Sequence, residues 1–266
     1  MPSYVITGAN RGIGLAFVRQ LSAKSENIVI ALVRNISTTD GLKSLNRSNV
    51  HILQADIGDL ASLKRAAADT AKITGGSLDV LINNAAMLPN ERDALPLDGY
   101  PEAEERFLAE DLVALFTVNV VGVVHTINSF LPLIKKGSSK KVIVISSGVG
   151  DLDLTLASGH ETSGPYSISK AAVNMAVAKY AAEYKSQGIF FLAISPGLVD
   201  TATRAPTAKE LEDMQKMVTK FKKVAPNWQR PLTPDESVEM MLKVFDDLTL
   251  ESSGAFLSHK GNKEWL

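Results

Sequence analysis

Short apolar runs alternate with longer amphipathic stretches along this chain, and the alternation predicts most of its elements. Runs at 3–7 ("SYVIT"), 27–33, 50–56, 78–83, 141–146 and 189–195 read as strands, with a weaker one at 254–258 ("GAFLS"). Several are continuous β-branched segments, not apolar–polar alternations. That is the pattern of strands covered on both faces, as in a parallel sheet between two layers of helices. Helical stretches fill 12–23, 60–74, about 102–135, 165–187 and 234–248. Strand and helix in regular succession predict an α/β fold with a doubly wound parallel sheet of about seven strands.

One stretch interrupts the rhythm. Residues 200–232 hold a polar helical segment and three prolines directly after a strand end. Ligands of open parallel sheets bind beyond the carboxyl ends of the strands. The segment is therefore expected to be a lid over a site, with a surface excursion as the alternative. No internal repeat or low-complexity linker divides the chain, so one domain is expected over 1–266.

Composition narrows the function classes. With 45% hydrophobic and 21% charged residues, the chain has the make-up of a globular domain. A formal net charge of −1 gives no electrostatic reason to expect nucleic acid or an anionic membrane as a partner. The absence of cysteine excludes disulfides, thiolate metal sites and a cysteine nucleophile. His51, His125, His160 and His259 are scattered, so no metal is expected. The opening "MPSYVITGAN" lacks a basic segment followed by a long apolar one, and no apolar run approaches ~18 residues. A cytoplasmic enzyme or binding protein is the expectation.

The first strand runs into "TGANRGIG", with Gly8, Gly12 and Gly14 leading into a helix. Glycines there let the backbone approach a phosphate, and the helix N-terminus offers free amides to the anion. The spacing G-x-x-x-G-x-G fits the general dinucleotide fingerprint only in part. Its place after strand one favours nucleotide binding over a purely structural turn. Arg34 ends the second strand where a ribose-binding acid would stand, and no Asp or Glu lies between Asn27 and Ile36. A carboxylate would repel a 2′-phosphate, whereas a guanidinium grips it. With Arg11 in the turn, this predicts NADP(H) over NAD(H); the alternative is a solvated charge at a strand end. Downstream, "GPYSISKAAVN" sets Tyr166 and Lys170 four residues apart, on one face of a helix. A nearby cation favours phenolate, so Lys170 is expected to lower the pKa of Tyr166.

Taken together, these motifs resemble the short-chain dehydrogenase/reductase family. "TGANRGIG", "NNAA" (83–86), "VNVVG" around Asn119, "VISSGVG", "PYSISK" and "SPGLVDT" follow that family's order. The opening "YVITGANRGIGLAFV" and the ending "SGAFLSHKGNKEWL" are similar to small C-factor-like carbonyl reductases and fungal norsolorinic-acid-type ketoreductases. The resemblance implies a Rossmann-like fold, a homodimer or homotetramer, and NADPH-dependent reduction of a small-molecule ketone or aldehyde. It implies Tyr166 as acid/base, Lys170 as ribose ligand and tuner, and Asn119 as holder of a relay water. Ser147 would polarise the carbonyl, with Ser146 as the fallback. Gly8, Asn10, Arg11, Gly12, Ile13 and Gly14 would contact the cofactor, with Arg34 at the 2′-phosphate. Asp56 and Ile57 would flank adenine, and Asn83 and Ala85 would line the cofactor. Pro196, Val199 and Thr201 would hold the carboxamide. Asp56 is equally placed to cap the helix that begins at Leu60.

The chain departs from the family's pattern twice. Ala86 replaces the last glycine of N-N-A-G, and 18 residues separate Ser147 from Tyr166 where about a dozen are usual. The longer segment is expected either to shape substrate selection or to be a plain surface loop. Two other functions use the same residues: an NADP(H)-binding sensor without turnover, and an alcohol dehydrogenase working oxidatively.

Overall fold

The computed structural model describes residues 1–88 and 91–266. Its strands are β1 (Ser3–Thr7), β2 (Ile28–Val33), β3 (Val50–Gln54), β4 (Val80–Asn83), β5 (Lys141–Ile145), β6 (Phe190–Ser195) and β7 (Phe256–Ser258). They form a seven-stranded sheet in the order β3-β2-β1-β4-β5-β6-β7, every pair parallel. The helices are α1 (Gly12–Leu21), α2 (Asp40–Lys43), α3 (Leu60–Thr74), α4 (Arg106–Phe116), α5 (Val123–Ile134), α6 (Leu152–Ser158), α7 (Gly164–Tyr184), α8 (Ala208–Phe221) and α9 (Pro234–Asp246). This is the doubly wound, Rossmann-like sheet, and its strand order reverses between β1 and β4.

Each strand is apolar on both sides because each side has its own core. Val5, Leu81, Val142 and Phe191 face Leu63 of α3, Ile127 and Phe130 of α5 and Val173 of α7. Their chain neighbours Ile6, Ile82, Ile143 and Leu192 face Phe17 of α1 and Val238 and Met241 of α9. Side chains alternate across a strand, so two apolar layers demand unbroken apolar runs.

At the amino ends of the strands, Asp79 ties the layers together. Its carboxylate accepts from Ser3 N (2.8 Å), Ser3 Oγ (3.0 Å) and Ser138 N (2.8 Å). The opposite, carboxyl-terminal edge is left to the loops that build the site.

Three expectations change. The helix expected over about 102–135 begins as a 3-10 turn, Glu102–Glu104, and continues as α4, a π-helical turn at Thr117–Gly122, and α5. By length and composition Arg106–Ile134 could cross a membrane, contrary to the expectation from apolar runs. Its apolarity is an average over a rod whose α5 part packs on the sheet and α3, while its α4 part packs on α7. Second, 200–232 leaves and re-enters at one place: Leu232 N donates to Leu198 O (2.8 Å) and Asp200 N donates to Leu232 O (2.9 Å). Third, 148–165 is not a plain loop. It forms a 3-10 turn and then α6, which Asp151 caps at its start and Gly159 ends in the left-handed conformation. It docks on α8, with the His160 ring 5.0 Å from that of Phe221 and Glu161 paired with Lys220.

Candidate active site

The glycine turn links β1 to α1 at the switch point. Gly8 has φ +65° and Gly12 φ +53°, a region that side chains disfavour. A Cβ on Gly14 would lie 2.2 Å from Gly8 O. The backbone is thus cleared of side chains where a phosphate would approach. Arg11 stands at the N-cap of α1 without a side-chain cap, and the first turn carries no acid. Those free amides and that positive helix end suit an anion. Arg11 and Arg34 are exposed. Asn10 Nδ2 bonds Thr38 Oγ1 (3.1 Å), tying the turn to the 3-10 helix Ile36–Thr38 beside Arg34. Ile13 is half-buried and packs against the α1–α9 core. These features fit a dinucleotide phosphate group.

Other predicted contacts divide. Thr201 lies against the turn: a Cβ on Gly12 would come 3.3 Å from Thr201 Cγ2. Val199 bridges Leu232, and Pro196 O accepts from Ser237 Oγ (2.7 Å). Asp56 is exposed and folds back on Gly58 N (2.9 Å), while the cap of α3 is Asp59, which accepts from Ala61 N. That settles the alternative role of Asp56 against capping. Ile57 is buried beside Gly122, so its side chain belongs to the core. The side chain of Asn83 is buried in the sheet and donates to Ile143 O (3.3 Å). Its neighbour Asn84 reaches the turn instead, donating to Thr7 O (2.9 Å) and Gly8 O (3.2 Å). Ala85 packs against Gly8, and Ala86 is exposed, so its methyl does not crowd the turn.

The four residues expected to carry the chemistry come from three elements. Tyr166 and Lys170 sit on α7, Ser147 just after β5, and Asn119 in the π-turn. Ser147 stands near enough to the Tyr166 hydroxyl to favour its ionised form. Ser146 is turned away, buried and donating to Asn174 Oδ1 (2.6 Å). Lys170 is buried, and its Nζ donates to Ile145 O (3.0 Å). Asn119 is buried and bonds Met87 in both directions: Oδ1 accepts from Met87 N (2.8 Å) and Nδ2 donates to Met87 O (3.1 Å). It also donates to Ser169 Oγ (3.1 Å). Its side chain thus fixes the segment after β4 against α7, and the wide π-turn sets it there.

Electrostatics overturn one expectation. The Tyr166 pKa is raised, first by burial and then by the negative Asp93, with Ser147 opposing. Lys170 does not lower it here. Its Nζ bonds Ile145 O and lies 5.5 Å from the centre of the tyrosine ring. Burial pulls the Lys170 pKa down to about 8.

Sequence reasoning missed Asn84, Asp93 and the Asn35–Thr38 cluster. Asn84 carried a signal, since it is the second asparagine of the "NNAA" motif. Asp93 carried none, because the stretch between the "NNAA" motif and the helical pattern that begins near 102 has neither periodicity nor a motif.

Comparisons with known proteins agree with this geometry. A family model described as short chain dehydrogenase matches residues 3–212. A short-chain dehydrogenase/reductase from Aspergillus aculeatus, AacuF, is 46% identical over 270 residues, covering all of both chains. The short chain dehydrogenase virK of Hypocrea virens is 44% identical, again over both full lengths. Among solved structures, NADPH-bound carbonyl reductase from chicken fatty liver superposes with a TM-score of 0.78 at 30% identity, covering 98% of each chain.

Proposed function

The chain belongs to the short-chain dehydrogenase/reductase family, and from that premise we propose that it reduces a ketone or aldehyde to the alcohol with NADPH, Tyr166 giving the proton. It is an oxidoreductase of CH–OH and carbonyl groups that uses a nicotinamide cofactor. The observation that carries the finer reading is the convergence of Ser147, buried Lys170 and buried Asn119 on Tyr166 and its helix.

A bound nicotinamide dinucleotide supplies the hydride. The protein has the other tasks. Gly8, Gly12, Gly14 and the start of α1 hold the phosphates, and Arg11 and Arg34 hold the 2′-phosphate. Ser147 donates to the carbonyl oxygen as charge develops there. Tyr166 transfers its proton to that oxygen. Lys170 holds the nicotinamide ribose and supplies positive charge. Asn119 keeps Met87 and α7 in register and is the proposed holder of a relay water to Lys170. Burial and Asp93 bias Tyr166 toward its protonated form, which suits it to giving a proton; the reductive direction over the oxidative one is drawn from the NADP(H) preference.

The 200–232 excursion acts as a lid, and the α6 segment docked on it selects the substrate. The structurally similar chicken enzyme was solved with NADPH, which supports the cofactor choice drawn from Arg34. Replacing Arg34→Asp should raise the KM for NADPH about tenfold or more while improving NADH. An unchanged cofactor ratio in steady-state kinetics would remove Arg34 from that role. For assembly, we propose a homodimer or tetramer through the paired α4 and α7 helices, where Val113, Phe116, Ile168 and Met175 are exposed. Light scattering on the eluting protein reads it directly. A cytoplasmic location completes the proposal, read by imaging a fluorescent fusion.

A further inference from the structure

A short 3-10 turn, Glu91–Ala94, stands between the two helices that frame the site. On one side, Arg92 grips Asp111 of α4 with two bonds, Nε to Oδ2 (2.8 Å) and Nη2 to Oδ1 (2.6 Å). Tyr100 adds a bond to the same carboxylate (3.1 Å). On the other side, Asp93 grips the start of α7. Its Oδ2 accepts from Ser163 Oγ (2.6 Å) and its carbonyl accepts from Ser163 N (2.8 Å). Ser163 holds φ +60°, a strained conformation for a serine, one residue before α7 begins. Tyr166 follows three residues later, one turn along the same face.

Two details separate Asp93 from a structural bracket. Ser163 needs only an acceptor, which a neutral amide would also supply. The second carboxylate oxygen, Oδ1, is buried and has no partner among the described residues. The nearest cation in sequence, Arg92, is engaged with Asp111 and lies over the Phe107 ring at 4.6 Å. Burial, and then the charge of Asp111, push the Asp93 carboxyl above its ordinary pKa, with the Ser163 bond opposing; once ionised, it carries a charge shielded from water and, among the described residues, with no cation hydrogen-bonded to it, close to the tyrosine. Uncompensated buried carboxylates are costly, which makes one next to a reacting group a functional candidate.

We infer that Asp93 is a positioning residue for the proposed reduction: it fixes the start of α7 through Ser163 and, by its charge, keeps Tyr166 in the protonated, proton-giving form. The inference rests on the proposed role of Tyr166. The charged and titratable groups around Tyr166 are Asp93 on the turn, Lys170 on α7 and, farther off, the Arg92–Asp111–Tyr100 network against α4. Asp93 opposes the phenolate, and Lys170, whose Nζ is turned to Ile145 O, does not offset it. Direct contact with substrate is not required of Asp93, whose free oxygen is closed to solvent.

The sign of the effect follows. Reduction needs Tyr166 protonated, so kcat/KM falls as pH rises through its pKa. Asp93→Asn keeps an acceptor for Ser163 and removes the charge, so that alkaline limb should move down by about one pH unit or more. Asp93→Glu should hold the limb near its original place, and Ser163→Ala should loosen the brace without moving the limb. The test is the pH profile of NADPH oxidation with a carbonyl substrate for all four proteins. It is paired with NMR titration of ring-labelled tyrosine in the NADP⁺-bound proteins, with Tyr166→Phe assigning the signal. A downward shift in Asp93→Asn alone supports the inference. Profiles and titrations that superimpose for Asp93→Asn and the unmodified protein overturn it. If no carbonyl is turned over but the Tyr166 signal still shifts in Asp93→Asn, the electrostatic role stands and the reductase reading fails.

Discussion

Ser146 and Ser147 are chain neighbours with opposite fates. The first follows β5 directly with its hydroxyl buried on Asn174, and the second lies near Tyr166. Motif register favoured Ser147 but could not exclude its neighbour, because alternation across a strand only says that the two point in opposite directions. The two hydroxyls therefore have separable effects. Ser147→Ala should lower kcat by about 10²–10³, the scale of losing one oxyanion donor. Ser146→Ala should leave kcat largely intact and cost about 1–2 kcal/mol of stability, since it strips Asn174 of a partner. Turnover and thermal melts on both variants check the pair; equal losses of kcat would undo the assignment. The direction of the Tyr166 shift was not legible in sequence. It depends on burial and on Asp93, which is 73 residues away along the chain and belongs to no motif.

At the scale of elements, strands and the glycine turn were readable because their causes are local. Two apolar layers force unbroken apolar runs, and a phosphate turn forces glycine where a side chain would collide. The π-turn was not readable, because one wider turn hardly disturbs the apolar stripe of a long helix. Docking of the α6 segment on α8 was also hidden. His160 and Phe221 meet across 61 residues, and their contact is made by the return path of the 200–232 excursion. This contact turns an expectation into a definite prediction. Replacing 151–162 with a short turn should change the ranking of carbonyl substrates at least several-fold in kcat/KM while leaving the KM for NADPH near its original value, because none of the proposed cofactor contacts lies in that segment. A substrate ranking that survives the replacement would make α6 a surface ornament.

The whole molecule divides its labour along the strand axis. The amino-terminal edge is for stability, and the carboxyl-terminal edge is for chemistry. Although burial pushes the Asp79 carboxyl up, the hydrogen bonds from Ser3, Ser138 and Ser139 hold its pKa below the ordinary value. A carboxylate whose folded pKa is depressed adds stability above its unfolded pKa and loses it as pH falls through the folded one. Asp79→Asn should cost about 1–3 kcal/mol at neutral pH, the difference shrinking below about pH 4, with activity per folded molecule retained. Denaturant titrations at pH 7 and pH 3.5 measure it. The fold class, and the convergence of Asn119, Ser147, Tyr166 and Lys170 at one place, were legible because order and spacing of motifs survive in one dimension. The electrostatic balance around Tyr166 was not, because it arises from groups that only the fold brings together.

The account stands or falls on Tyr166 as the proton donor in an NADPH-dependent reduction. Oxidation of NADPH by the purified protein, followed against a panel of aromatic diketones, quinones, aldehydes and other ketones with NADH in parallel, tests it most directly. The predicted result is turnover of at least one carbonyl with NADPH preferred, and a loss of about 10³-fold or more in Tyr166→Phe that still binds NADPH. Turnover that survives in Tyr166→Phe, or that runs best with NADH, would contradict it.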